Sequence, residues 1–279
     1  MIDWCQSYCK LWIMSITNKA IPPHQTPWII QAALVFSCLY WSYHVLVSQM
    51  VIVQDAHVYK KIADILYTEG WIGYFKAGPL REPFYPFLIS ISLHLESWIH
   101  VPYQDIQKIF QFCFALNAQY LLWIMLRNLK INTTIAAGIL FFFAVSPDIV
   151  NSIVSLFCEV VAFPIVLFIV FLSSRLRNEL FLPNSSYPRL ISQSFLLGFL
   201  FFLLICTKGA FEFVFPFFVL ALFILFFSAL KTKNTSILKK SLFVLILIIL
   251  TAQVPLQFIK SMNKKYNGNY VLTDRGAFM

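Results

Sequence analysis

Residues 190–207 read LISQSFLLGFLFFLLICT, a run without a charged side chain that is long enough to cross a lipid bilayer. A transmembrane helix needs about 20 predominantly apolar residues, and comparable runs recur along the chain. The sequence predicts seven such spans, at 28–53, 105–126, 131–147, 153–173, 190–207, 210–230 and 241–259. We therefore expect an all-α fold, a polytopic transmembrane helix bundle that occupies residues 28–259.

The composition of the whole chain agrees with a lipid environment. The 279 residues are 59% hydrophobic and only 12% charged, whereas soluble domains are about half apolar and about a quarter charged. The formal net charge of +9 lies in short clusters between apolar runs, not on a soluble domain. We interpret this charge as topology information and as attraction to the head groups of membrane lipids, and we predict no nucleic-acid partner.

The longest polar interval, residues 54–104, is predicted to be an outer loop that contains two juxtamembrane helices. Residues 55–68 have the spacing of an amphipathic helix, which Gly70 is expected to end. Residues 84–101 place their apolar side chains on one helical face and Ser, His and Glu side chains on the other, which is typical of a helix that lies in the interface without crossing it. The predicted apolar face consists of Phe84, Phe87, Leu88, Ile91, Leu95, Trp98 and Ile99.

The basic residues determine the predicted orientation. If residues 1–27 form a cytoplasmic N-terminal segment and 84–101 does not cross, the short cytoplasmic loops hold nine basic residues and the short outer loops hold only Lys208, in agreement with the positive-inside rule. The nine residues are Arg127, Lys130, Arg175, Arg177, Arg189, Lys231, Lys233, Lys239 and Lys240. Residues 260–279 then form an outer polar tail, although Lys260, Lys264 and Lys265 fit that side poorly. The tail ends without a capping element, which suggests that the sequence is part of a longer protein.

Asp55 directly follows the first span and begins the outer loop. One interpretation is a helix N-cap, because Asp is favoured there and a helix is predicted to follow at once. The other is a base at the membrane surface, and the two roles are compatible. His57 and Tyr59 lie on the same predicted helix.

Four further charged residues are candidates for a site on the outer side. Arg81, which Glu82 follows directly, could bind a phosphate through its planar set of donors, or could be an interfacial salt-bridge or snorkelling side chain. Lys208, an exception to the clustering of basic residues inside, is either a phosphate contact or an ordinary loop lysine. Glu159, six residues into the predicted span 153–173 and so about 9 Å inside it, is expected to be functional, because carboxylates at such depth are costly.

These features resemble those of a known family. The stretch QDAHVYKKIADILYTEGW at 54–71 and the stretch GPLREPFYPFLISISLHLE at 78–96 are similar to the corresponding parts of the GT-C membrane glycosyltransferases. The likeness is closest to the bacterial branch related to protein O-mannosyltransferases and the lipid A aminoarabinose transferase. An acidic residue near the outer start of a later span, here Glu159, and a turn after Gly198 that contains Thr207 and Lys208 also match. Members of the family are usually longer than this chain.

The resemblance implies a glycosyltransferase of a bacterial inner membrane, with the N-terminus cytoplasmic. A polyprenyl-phosphate-linked sugar would be the donor, and a lipid, a glycan or a protein would be the acceptor. Asp55 would act as general base, and Arg81 and Lys208 would stabilise the departing phosphate. Glu82, Glu159, Tyr59 and His57 would complete the substrate site. No cofactor is expected; many members carry a second acidic residue close after the first, whereas Ala56 and His57 follow Asp55 here, so a divalent metal is disfavoured.

Two other classes of function stay open at the level of the sequence. A secondary transporter would show buried charges in several spans and broken helices in two related halves, and only Glu159 is a buried charge in the predicted spans. A non-catalytic membrane subunit would make the carboxylates of the outer loop dispensable.

Overall fold

The structure, a computed structural model, describes residues 26–53, 55–182, 186–231 and 235–273, and their side chains except those between 225 and 236. Over these residues the chain forms ten α-helices and no strand. In chain order they are α1 (Trp28–Val47), α2 (Asp55–Ala77), α3 (Phe84–Ile99), α4 (Tyr103–Asn128), α5 (Thr133–Val145), α6 (Pro147–Val154), α7 (Glu159–Phe181), α8 (Tyr187–Thr207), α9 (Phe211–Lys231) and α10 (Thr235–Asn267).

The predicted all-α polytopic bundle is confirmed, with fewer clear spans than the sequence indicated. Helices α1, α4, α7, α8 and α10 are long and apolar enough to cross a membrane. Helices α5 and α6 make a sixth span if the pair, bent by 46° at Ser146, is counted as one. The apolar part of α9 with described side chains, Phe211–Ile224, is shorter than a span, so the predicted span at 210–230 falls partly on side chains that the structure does not describe.

The predicted span at 153–173 begins at the wrong place. Residues up to Val154 belong to α6, Ser155 is extended, and the membrane-length helix starts only at Glu159. The hydropathy pattern predicted one span here because all of these segments are apolar. Hydropathy does not report backbone conformation, so it does not show that the residues between the two helices are not helical.

The two ends of the bundle differ in charge. At one end, Arg189 pairs with Glu179 at 3.0 Å, and the Lys240 amino group lies 5.8 Å from the centre of the Tyr187 ring. These contacts join the end of α7 and the starts of α8 and α10, and we call this the basic end. Arg175, Arg177 and Lys239 lie on the same ends of α7 and α10, and Arg127 and Lys130 lie at the end of α4 and just after it. Because α8 has 21 residues, its other terminus lies roughly 30 Å away. Glu179 is the one acidic residue at the basic end among the described residues.

The opposite end, which we call the carboxylate end, holds α2, α3 and the first residues of α4, α7 and α9. Here acidic side chains accompany the cations, and the acidic residues described at this end are Asp55, Asp64, Glu69, Glu82, Glu96, Asp105, Asp148, Glu159 and Glu212. Helix α10 continues through Lys260, which the sequence assigned to a polar tail, and ends at Asn267. Lys260 pairs with Glu212 at the start of α9, so this lysine is neutralised where it lies.

Helix α2 follows the prediction in its first part and departs from it in its second. Gly70 breaks the helix with φ of 67°, a left-handed backbone conformation that glycine adopts without steric cost. The chain then resumes a helical course to Ala77, where irregular chain was expected. Asn267 at the end of α10 donates from its side-chain amide to the Phe75 carbonyl and ties this second part to the bundle.

Helix α3 has the predicted length but presents a different face to the bundle. Its buried side chains are Tyr85, Pro86, Ile89, Ser90, Ser92 and Leu93, whereas the predicted apolar face is partly or fully exposed, with Trp98 77% exposed. Ser92 donates to Gln107 of α4 at 2.8 Å. In lipid, small and polar side chains favour contacts between helices because apolar ones are already satisfied by the acyl chains. The apolar side of α3 is therefore the side suited to face lipid.

Helix α4 carries glutamines that hydrogen-bond to three other parts of the chain, and the sequence reading missed them. Gln111 donates to the Tyr85 hydroxyl at 2.8 Å and to the Ser155 carbonyl at 2.7 Å, and Gln119 donates to the Ser37 hydroxyl at 2.5 Å. Gln107, Gln111 and Gln119 share one side of the helix, and all are buried. Such bonds hold helices together where the hydrophobic effect between helices is weak.

Helices α8 and α10 are in close contact at Gly198, which gives the first prediction. A Cβ atom at Gly198 would lie 2.6 Å from the Ile248 carbonyl oxygen and 1.8 Å from the Thr251 hydroxyl. We expect Gly198→Ala to lower the free energy of unfolding by about 1–3 kcal/mol, because the helices must separate. Thermal unfolding of the purified protein in detergent measures the loss.

Gly138→Ala is the matched control, since it lies within α5 and a Cβ there would meet nothing within 4 Å. Alanine has the higher helix propensity, so this variant should be as stable as the wild type or slightly more so. An equal loss of stability in both variants would contradict the close contact between α8 and α10.

Candidate functional site

Two extended segments pair with each other at the carboxylate end. The Val51 amide donates to the Val154 carbonyl at 2.9 Å, and the Leu156 amide donates to the Val51 carbonyl at 3.0 Å, which makes a parallel bridge between Val51 and Ser155. Each bridging residue is followed four positions later by an acidic residue that begins a helix, Asp55 for α2 and Glu159 for α7. Carboxylates are stabilised at helix N-termini by the helix dipole. The bridge therefore brings two such termini together.

Each of these carboxylates is paired with a cation from a loop. Arg81, between α2 and α3, donates from Nη2 to Oδ1 of Asp55. Lys208, between α8 and α9, donates from Nζ to Oε1 of Glu159 at 2.8 Å. The side chain of Asp55 is 53% exposed and that of Arg81 19%, while Glu159 and Lys208 are 40% and 39% exposed. Ion pairs with this much exposure are worth about 0–1 kcal/mol, so they can open readily.

Glu82 connects the two loops that supply the cations. Its side chain is fully buried, and Oε1 accepts the Gly209 amide proton at 2.6 Å. A Cβ at position 209 would lie 2.8 Å from that oxygen, so glycine is the residue that fits beside the carboxylate without displacing it. Because Glu82 follows Arg81 and Gly209 follows Lys208, this hydrogen bond positions both cations relative to each other.

Tyr59 and Cys158 lie between the two ion pairs. The Tyr59 hydroxyl is 3.4 Å from the Cys158 sulfur, and the Tyr59 ring meets Tyr85 edge to face, with 5.2 Å between ring centres. Burial and then the neighbouring Glu159 raise the pKa of the Cys158 thiol to about 12, and burial raises the pKa of the Tyr59 hydroxyl above its ordinary value. Both groups are neutral at neutral pH, so neither is an activated nucleophile.

The structure brings together six of the seven residues that the sequence assigned to the site. Tyr59 lies within electrostatic range of Arg81 and Glu82, and Cys158 lies within range of Glu82, Glu159 and Lys208. Asp55 joins them through Arg81. The exception is His57, whose side chain is exposed at the start of α2. The predicted position of Glu159 is wrong in one respect: it begins α7 at the end of the bundle and does not lie about 9 Å inside a span.

Several contributors to the site were not recognised in the sequence. Cys158 was not among the predicted site residues; it is buried, and it contacts Tyr59. Gly209 and the bridge at Val51 were missed because their importance comes from partners distant in the chain. The available signal was the position of Glu82 between Arg81 and Pro83 in the predicted outer loop.

The described residues contain no group of three or more His, Cys, Asp or Glu side chains arranged to hold a metal ion. The carboxylates of Asp55 and Glu159 are instead neutralised by an arginine and a lysine.

Together the fold and the site define a multi-pass, all-α membrane protein with a cluster of opposite charges at one end of its bundle. No protein-family model matches the chain, and neither a curated protein nor a solved structure is significantly similar to it.

The contact between Glu82 and Gly209 gives the second prediction. Glu82→Ala leaves the Gly209 amide without its acceptor, and we expect the free energy of unfolding to fall by about 1–3 kcal/mol. Glu69→Ala, which truncates an exposed glutamate of α2, should change it by less than about 0.5 kcal/mol. Denaturation of the purified variants in detergent measures both changes.

A double-mutant cycle of Glu82 and Gly209 tests the contact between these two residues directly. Gly209→Ala clashes with the carboxylate of Glu82 in the wild type, and this clash disappears once Glu82 is alanine. We expect Gly209→Ala to be destabilising alone and nearly neutral in the Glu82→Ala background. Additive effects would show that the two residues do not interact.

Proposed function

We propose that this protein is a membrane glycosyltransferase that transfers a sugar from a polyprenyl-phosphate donor to an acceptor hydroxyl on the extracytoplasmic face. The observation that carries the proposal is the pair of neighbouring ion pairs, Asp55 with Arg81 and Glu159 with Lys208, at one end of the bundle. A lipid-linked phosphate has its charge at that depth, in the head-group region beside the helices. The site offers that phosphate two cations and offers the acceptor a carboxylate.

The proposed reaction uses the charged groups in distinct roles. Asp55 accepts the proton of the acceptor hydroxyl while the hydroxyl oxygen attacks the anomeric carbon of the sugar. The bond between that carbon and the phosphate oxygen breaks, and the lipid phosphate leaves with the electron pair. Arg81 and Lys208 stabilise the negative charge on the departing phosphate. Tyr59 and Cys158, neutral at neutral pH, supply no competing nucleophile, which favours direct transfer over a covalent sugar intermediate.

The remaining residues of the site support these roles. Glu82 holds the turn of Lys208 through Gly209, and Glu159 orients Lys208 directly. Tyr59 borders the space where the sugar would lie, and His57, exposed on α2, is available to the acceptor. The acceptor is a lipid, a glycan or a protein, and the chemistry requires no cofactor.

The charge asymmetry of the bundle supports an outer position of the site. The helix ends and short connections between spans at the basic end hold many basic residues, whereas among the described residues the short connections between spans at the carboxylate end hold only Lys208. The positive-inside rule counts basic residues in short loops, so it favours a cytoplasmic position for the basic end. The first described residues of α1 lie at this basic end, packed near Trp123 and Leu126 of α4. We therefore propose a bacterial inner membrane protein with a cytoplasmic N-terminus and the site on the other side.

A secondary transporter is the second candidate, favoured by the bent pair of helices α5 and α6. Broken helices in transporters lie near the middle of the membrane and bind the substrate there. In this chain the non-helical segments around Val51 and Ser155 lie at the end of the bundle, a position that suits a reaction at the surface. A non-catalytic subunit is the third candidate, and the next experiment distinguishes all three.

The third prediction concerns Asp55. With labelled polyprenyl-phosphate sugar and an acceptor lipid supplied to the complete protein in nanodiscs, we expect Asp55→Asn to lower the transfer rate by about 10²–10⁴-fold, the usual contribution of a general base. Asp64→Asn is the matched control, because Asp64 is exposed on the same helix and also pairs with a cation, Lys60. It should retain the wild-type rate.

Transfer that survives in Asp55→Asn at the wild-type rate would exclude Asp55 as the base. Movement of a solute across the membrane without sugar transfer would favour the transporter. Absence of both activities in the wild-type protein would favour the non-catalytic subunit.

The fourth prediction concerns orientation. In a variant without the native cysteines, Glu69→Cys at the carboxylate end should react with a membrane-impermeant maleimide in intact spheroplasts. Lys130→Cys at the basic end should react only after permeabilisation. The reverse pattern would place the site in the cytoplasm and remove the donor that we propose.

A further inference from the structure

We infer that the carboxylates of Asp55 and Glu159 compete with an anionic phosphate for Arg81 and Lys208, so that the phosphate binds by exchanging with them on these two cations. The chemical class of the ligand, a lipid-linked phosphate, rests on the proposed function. The exchange itself rests on the geometry of the two ion pairs.

The donor groups that a phosphate would use are already engaged by carboxylates. Arg81 presents Nη2 to Asp55, and Lys208 presents Nζ to Glu159. Carboxylate and phosphate oxygens accept the same charge-assisted hydrogen bonds from arginine and lysine. A phosphate therefore cannot take these N–H donors fully unless the carboxylate oxygens withdraw.

In the first pair the cation Arg81 is held in place more firmly than Asp55, and in the second pair the backbone next to Lys208 is held. The Tyr74 hydroxyl donates to the backbone carbonyl of Arg81 at 3.1 Å, and Glu82 fixes the residue after Lys208. The side chain of Asp55 is 53% exposed and can be rehydrated when it withdraws, whereas that of Arg81 is 19% exposed. The carboxylate is thus the partner that moves, and the guanidinium is the fixed part of the site.

Other ion pairs at the same end have a different construction. Lys108 pairs with Asp105 at 2.9 Å but also donates to the carbonyls of Val45 and Ser48, and its side chain is 7% exposed. This ammonium caps the end of α1 and is not available for exchange. The Lys108 side chain therefore has a structural role in holding α1 against α4.

Exchange couples binding of the phosphate to release of the base. When the phosphate takes Arg81, the Asp55 carboxylate no longer has its cation and is available to the acceptor hydroxyl. Asp55 thus becomes a base only in the complex that contains a donor. A site of this kind would leave the carboxylate masked while no sugar is bound.

The test measures binding of polyprenyl phosphate, the leaving group, which cannot turn over. Calorimetric titration of the full chain in nanodiscs at low salt compares the wild type with Asp55→Asn and Glu159→Gln. We expect each substitution to tighten binding about three- to tenfold, because the phosphate no longer competes with a carboxylate. Asp64→Asn makes the same change in net charge on the same helix and should leave the affinity within about twofold of the wild type.

A gain of affinity requires folded protein, so a variant that misfolds cannot give the expected result. Asp55→Glu keeps the charge and should therefore have the wild-type affinity. Unchanged or weaker binding in Asp55→Asn and Glu159→Gln would overturn the exchange. An equal gain in Asp64→Asn would also overturn it, because the effect would then come from net charge alone.

Three probes identify the source of the phosphate and separate this inference from the proposed function. Polyprenyl phosphate, inorganic phosphate and unphosphorylated polyprenol are titrated in parallel. Tighter binding of polyprenyl phosphate alone supports exchange with a lipid head group, and tighter binding of inorganic phosphate supports exchange with a free anion. If the wild type binds polyprenyl phosphate but the carboxylate variants bind it no more tightly, the exchange fails and the proposed function stands. If no phosphate binds to any variant, both fail.

Discussion

The site depends on the backbone pairing of Val51 with residues 154–156. Exposed backbone N–H and C=O groups are costly in or near lipid, so a membrane chain leaves its helices only where these groups find partners. The two non-helical segments at the carboxylate end supply partners to each other. Since each segment leads directly into an acidic helix N-terminus, the same hydrogen bonds that make the breaks tolerable also hold Asp55 and Glu159 near each other.

Helix α4 forms hydrogen bonds to the chain at both paired segments. Lys108 donates to the Val45 and Ser48 carbonyls at the end of α1, and Gln111 donates to the Ser155 carbonyl beside the bridge. Two polar residues one turn apart on a single helix thus anchor the chain that enters α2 and the chain that enters α7. A change in α4 would therefore reach both carboxylates although α4 itself contributes no side chain to the ion pairs of the site.

The sequence predicted the elements of this arrangement better than the connections between them. The apolar runs, the break at Gly70 and the basic residues of the basic end follow from composition and spacing. Residue type and position beside the predicted spans indicated Asp55, Arg81, Glu159 and Lys208, which the structure brings together. The start of α7 and the bend at Ser146 were not predictable from hydropathy, because a window of apolar residues reports transfer into lipid and not backbone conformation. The spacing in α3 indicated an apolar face but not which face of the helix contacts the bundle.

The cations of the carboxylate end differ in exposure. Lys108 and Lys260, with side chains 7% and 13% exposed, neutralise carboxylates where helices meet, Arg81 is 19% exposed, and Lys208 is 39% exposed. The Asp55 and Glu159 side chains are 53% and 40% exposed, and the neutral Tyr59 and Cys158 lie close to these ion pairs. With the buried hydroxyl and thiol kept protonated, the groups that can exchange partners at neutral pH are carboxylates and cations. Groups of this kind can accept a proton and contact an anion, and these are the two properties that the proposed transfer from a phosphate leaving group requires.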